Sequence, residues 1–133
     1  MARYLIGYLA AAAAMAALDT VWLQFAVKAI YEPAIGSILS ERTNHAAAAL
    51  FYILYIFAIM IFATGPALRG GGFPSALAMG AAFGFFAYMT YDLTNMATLK
   101  VWPVYLAAID IAWGTLLTAV AASAGYAAGS RFA

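Results

Sequence analysis

The sequence holds no cysteine, four prolines, one histidine, and only six Lys or Arg with five Asp or Glu among 133 residues. Each shortage excludes something. Without cysteine there are no disulfides, thiolate nucleophiles or zinc ribbons, and the redox compartment stays open. Six basic residues and a formal net charge of +1 make no patch able to hold nucleic-acid phosphates. A charged fraction of 8%, against about 25% in soluble domains, excludes a disordered chain and an ordinary cytosolic enzyme. One histidine would leave a metal site to carboxylates alone, so none is expected. No phosphate loop, dinucleotide fingerprint or nucleophile–base pair is present, and no cofactor is implied.

What the chain does have is apolar length: 68% of its residues are hydrophobic. A bilayer crossing takes about 20 mostly apolar residues. Four stretches meet that, at about residues 4–27, 46–65, 74–99 and 103–126. Glu32-Pro33, Ser40-Glu41-Arg42-Thr43-Asn44, Gly65-Pro66, Arg69-Gly70-Gly71-Gly72 and Lys100-Val101-Trp102-Pro103 separate them. Apolar soluble helices would leave too little polar surface for water. The expectation is an all-α integral membrane protein, one domain over residues 1–133, built as a compact bundle of four transmembrane helices. Arg3, an apolar run and Ala14-Met15-Ala16 imitate a secretory signal peptide. The run continues past Asp19 through Trp22-Leu23-Gln24-Phe25, and so reads as the first span. The first loop, about 28–45, has room for a short interfacial helix over 33–39. Arg3, Arg69 and Arg131 fall on one side and Lys28, Arg42 and Lys100 on the other, so basic residues set no majority. The reading adopted puts both termini in the cytoplasm, leaving Lys100 out of the count because another role beside the aspartates is open to it.

Three aspartates lie within the spans. An ionisable group there is costly, faces the bundle interior, and is by default a functional candidate. Asp19 stands nine residues before Lys28, Asp92 eight before Lys100, and Asp110 seven after Pro103. At ~1.5 Å per residue all three lie about 10–13 Å below the same surface. Other polar and aromatic residues join them: Tyr52 and Tyr55 on the second span, and Tyr88, Tyr91, Asn95 and Thr98 on the third. Trp22 and Trp113 each stand one turn after an aspartate. The candidate pocket is therefore Asp19, Trp22, Tyr52, Tyr88, Tyr91, Asp92, Asn95, Lys100, Asp110 and Trp113. Lys100 either pairs with Asp92 or Asp110 or snorkels to the headgroups. His45, beside Asn44, reads as a capping or interfacial residue. The pattern Asp-x-x-Trp occurs twice, at 19–22 and 110–113, and chance can produce it in so alanine-rich a chain. Gly80-x-x-x-Gly84 and the alanine run at 10–14 read as helix-packing surface.

The run Tyr91-Asp92-Leu93-Thr94-Asn95-Met96-Ala97-Thr98-Leu99-Lys100-Val101-Trp102-Pro103, followed by Asp110-Ile111-Ala112-Trp113-Gly114-Thr115, resembles the signature of a bacterial membrane-protein family filed as domain of unknown function 2177. Asp19-x-x-Trp22-Leu23, Phe51-Tyr52 and Pro66-Ala67-Leu68 extend the resemblance over nearly the whole chain. It implies a compact four-helix protein of the bacterial inner membrane and carries no established activity.

Two classes of function remain open. In one, the polar end is a pocket near one leaflet that binds or modifies a small amphiphile or lipid, with carboxyls and Asn95 at the head and aromatic walls. In the other, the protein is a small proton-coupled transporter. Transporter sites usually lie near the midplane, and off-centre aspartates favour the first. A structural or accessory subunit is a third possibility. Four helices enclose a narrow site, which a homodimer could complete.

Overall fold

The computed structural model describes residues 1–132, and these are almost wholly helical. Helix is the only open-ended structure that satisfies every backbone N–H and C=O inside hydrocarbon. The first segment starts as α1 (Ala2–Ala26), widens into a π-helical turn (Val27–Tyr31), and continues as the short α2 (Glu32–Ile35) and a 3-10 turn (Gly36–Ile38). The second begins at Asn44, whose side chain accepts the Ala47 N–H at 3.0 Å as an N-cap. It comprises α3 (His45–Ile59), two π-helical turns (Met60–Thr64 and Ala67–Gly71) and α4 (Gly72–Thr98). The third is α5 (Val104–Gly129), entered from an extended Pro103 and closed by a 3-10 turn (Ser130–Phe132).

Three helical segments are therefore long and apolar enough to cross a membrane: Ala2–Ile38, His45–Thr98 and Val104–Phe132. This corrects the expectation of four separate helices. Gly65-Pro66 does not end a helix, because proline's fixed φ suits the α region and Pro66 adopts it. The wider π turns on either side of it relieve the clash and the missing N–H that proline brings. The direction changes further on, at Gly70 (φ 129°) and Gly72 (φ 72°), values that favour glycine. Beyond them α4 doubles back on the first half of its own segment. Phe83 stacks on both Phe62 (5.5 Å between centroids) and Tyr55 (5.3 Å). Glu32-Pro33 likewise fails to stop the first segment, since Pro33 sits in the first turn of α2, where its absent N–H is tolerated.

α5 is the most buried element and packs along both α1 and α4. Its contacts pair early residues with late ones, Gly7 with Gly125 and Gly80 with Ala122, so both neighbours run antiparallel to it. Small residues set the spacing. A Cβ on Gly84 would stand 2.3 Å from the Gly114 carbonyl oxygen, and one on Gly125 would stand 2.8 Å from the Gly7 carbonyl oxygen. Such approach replaces the hydrophobic drive that lipid cannot supply. Outward, Leu5, Leu9, Phe25, Leu54, Phe57 and Leu116 are exposed, as lipid-facing side chains should be. Thr90, Thr94 and Thr98 are exposed too. Each returns its hydroxyl to a carbonyl one turn back, on Phe86, Thr90 and Thr94 respectively, which satisfies it without a partner helix.

A candidate cavity of carboxyls and aromatic rings

Asp19 lies seven residues before the end of α1, Asp92 six before the end of α4, and Asp110 six after the start of α5. Each is thus about 9–10 Å from its helix end at ~1.5 Å per residue, and all three are buried. Asp19 accepts from the Tyr52 hydroxyl through Oδ2 and from the Trp113 indole N–H through Oδ1 at 3.2 Å. Asp110 accepts from the Tyr31 hydroxyl at 2.5 Å, and that hydroxyl in turn accepts from the Trp22 indole at 3.5 Å. The indoles of Trp22 and Trp113 stack, 4.6 Å apart and 10° from parallel.

The repeated Asp-x-x-Trp pattern thereby acquires a geometric meaning. On antiparallel helices each tryptophan serves the other helix's aspartate. Trp113 reaches Asp19 directly, and Trp22 reaches Asp110 through Tyr31. Gly114, next after the second motif, seats Tyr88: a Cβ there would stand 2.1 Å from that ring's Cγ.

These groups wall a cavity of about 500 Å³. Asp19, Asp110, Trp22, Trp113, Tyr52, Tyr88 and Tyr91 all line it, as do Tyr31, Phe51 and Tyr55. Leu23, Phe51 and Tyr91 are exposed and form its rim. Tyr55, bonded to Thr118 at 2.8 Å, marks the deep side. A second cavity of about 680 Å³ lies towards the loop over residues 36–43 and shares Leu23, Tyr31 and Tyr91 with the first.

Three expected members stand apart. Asp92 points into the α4–α5 contact, where Asp110 and the Trp102 indole face it, yet neither of its oxygens has a hydrogen-bond partner. Lys100 is exposed, and with Asp92 unpartnered it does not bond that carboxyl. Asn95 is half-buried and does not line the cavity. The stripe read from residues 88–98 thus divides, with Tyr88 and Tyr91 on the cavity, Asp92 against α5, and Thr98 outward. Among the described residues, no group of three or more His, Asp or Glu could hold one metal ion.

Tyr31 is the participant that the sequence reading missed, since residues 28–45 were expected to be loop. In an unbroken α-helix it would stand about 120° round the axis from Asp19, at ~100° per residue. The π turn over Val27–Tyr31 advances less per residue and swings it back towards that face. Its signal was the aromatic residue itself, one position before Glu32-Pro33. Nothing in local spacing announces a π turn.

No curated protein and no solved structure matches the chain. A family model does match, that of the predicted membrane protein family known as domain of unknown function 2177, over residues 4–127. With most of its length matched and three long apolar helices, the chain is a member of that membrane-protein family.

Proposed function

We propose that the chain crosses the bilayer four times and uses the aspartate–aromatic cavity to hold a small amphiphile from one leaflet. Length supports the fourth crossing. Straight, His45–Thr98 at 54 residues would reach about 80 Å at ~1.5 Å per residue, against a hydrocarbon core near ~30 Å. Folded at Gly70–Gly72, it forms two legs of ordinary length.

The observation that carries the amphiphile reading is the cavity's composition and opening. Its volume is that of a small-molecule site, polar groups sit at its back, and its rim of Leu23, Phe51 and Tyr91 is exposed and apolar enough to meet a lipid tail. A polar head held by Asp19 and Asp110 leaves an attached tail free to pass the rim into the bilayer. In the far half of the bundle the close Gly7–Gly125 and Gly80–Ala122 contacts separate α5 from its neighbours by no more than backbone distance, which supports a site served from one leaflet.

The test is native mass spectrometry of the gently extracted protein beside Ala87→Trp. Ala87 lines the cavity and belongs to none of its hydrogen bonds. An amphiphile carried by the parent protein and lost from the filled variant is the expected result. Equal occupancy, or none on either, would overturn the reading.

Proton-coupled transport is the second reading, and Asp92, buried without a partner, favours it. It requires a pH gradient across proteoliposomes to drive uptake that Asp92→Asn abolishes.

A further inference from the structure

We infer that the occupant is an organic cation, an alkylated ammonium carrying an apolar tail, held by Asp19 and Asp110 against the faces of the surrounding aromatic rings. The inference rests on the amphiphile reading above and adds the sign and type of the head.

The first argument is charge. Two carboxyl groups line the cavity, and its lining includes no lysine, arginine or histidine. Every donor they receive is neutral: two tyrosine hydroxyls and an indole N–H. Behind Asp110 a third carboxyl, Asp92, is fully buried and faces it. A carboxyl in an apolar interior needs either a proton or a positive charge beside it. A phosphate or sulfate head would find like charge and no cationic donor. A cation supplies what the site lacks.

The second argument is the walls. The indoles of Trp22 and Trp113 stack on the cavity's side, with Tyr31, Tyr52, Tyr88 and Tyr91 around them. Trp and Tyr faces are the surfaces that attract ammonium groups, above all quaternary ones that cannot donate hydrogen bonds. Among the described residues no group of three carboxylates could hold a bare metal ion, and so much ring surface suits a soft organic cation.

The third argument is the approach. The outer cavity has Glu32 and no basic residue in its lining, and it meets the inner one at Tyr31 and Tyr91. A cation entering from the loop side thus passes one carboxylate and two aromatic rings. At the other end of the bundle the two smaller cavities are lined by Arg69 and by Arg3. Lys28, Arg42 and Lys100, at the carboxylate end, line neither the inner nor the outer cavity.

The experiment uses the full chain in uncharged dodecyl maltoside, with binding followed by the fluorescence of the cavity tryptophans and empty-micelle partition subtracted. The probes are decyltrimethylammonium, decyl sulfate and uncharged decyl glucoside. Decyltrimethylammonium is expected to bind about tenfold or more tightly than either comparator, equivalent to ~1.4 kcal/mol. That preference should vanish in the double variant Asp19→Asn with Asp110→Asn. Equal binding of the cation and a comparator by the parent protein overturns the inference and leaves the amphiphile reading standing. Binding of no probe overturns both. Should the double variant lose its helical circular dichroism, the three-probe comparison on the parent chain decides alone.

Discussion

The two ends of this bundle solve the same problem, holding helices together in lipid, by opposite means. At the Gly7–Gly125 end, backbones approach until a single Cβ would collide, and the contacts are van der Waals. At the Asp19 end, the same helices stand far enough apart to admit six-membered and indole rings, and hydrogen bonds cross the gap. The cavities at the first end, about 400 and 270 Å³, are smaller than the two at the second, about 500 and 680 Å³. The difference teaches that joining helices here does not depend on polar residues. Close packing already does that a few turns away, more simply, and without burying carboxyls.

The comparison can be broken first at the close contacts between small residues. Gly84→Leu places a branched side chain where even a Cβ would be 2.3 Å from a carbonyl oxygen. It should cost about 3 kcal/mol or more, seen as loss of the helical, monodisperse protein in detergent on mild heating. Gly114→Ala comes next. It displaces the Tyr88 ring towards the cavity, at a cost of about 1–3 kcal/mol in thermal stability, and should lower ligand occupancy as well. Its two readouts link the ends, because this glycine belongs to a close contact and shapes the cavity.

At the Asp19 end, Asp19→Asn should change ligand binding by about tenfold (~1.4 kcal/mol) and stability by less, since an amide oxygen can still accept from Trp113. A larger loss of stability than of binding would make the aspartate a packing device. Tyr31→Phe removes the hydroxyl that links Trp22 to Asp110. Interhelical bonds in membranes average about 0.6 kcal/mol and reach about 1.7, and a chemical-unfolding series in mixed micelles resolves that range. Smallest should be Thr94→Val. That hydroxyl bonds only its own helix, and a change within about 0.5 kcal/mol is expected; a larger effect would mean that the outer face of α4 has a partner.

The legible parts of the site were those that depend on depth. Helical rise alone put Asp19, Asp92 and Asp110 in one layer, and the structure has them there. Facing was harder to read. Asp92 and Tyr91 are adjacent in sequence, yet one is buried against α5 and the other rims the cavity. Which side of α4 meets α5 is decided by Gly80 and Gly84, not by the polar stripe. Lys100 looked like a partner because it follows Asp92 by two turns, but the helix ends at Thr98 and leaves it outside. Asn95 was assigned to the head of a ligand on the same stripe and stands off the cavity.

Composition and hydropathy by themselves determined that this chain is helical, membrane-embedded, and polar at one end. These follow from bulk transfer free energies and from the backbone's need for internal hydrogen bonds, which any apolar run obeys wherever it packs. Tertiary structure decided the rest: that the reversal falls at Gly70–Gly72 rather than at Gly65-Pro66, that Tyr31 lines the cavity, and that two Asp-x-x-Trp motifs exchange partners. Those depend on π turns that shift helical phase and on antiparallel pairing of residues about ninety positions apart. Local spacing carries neither.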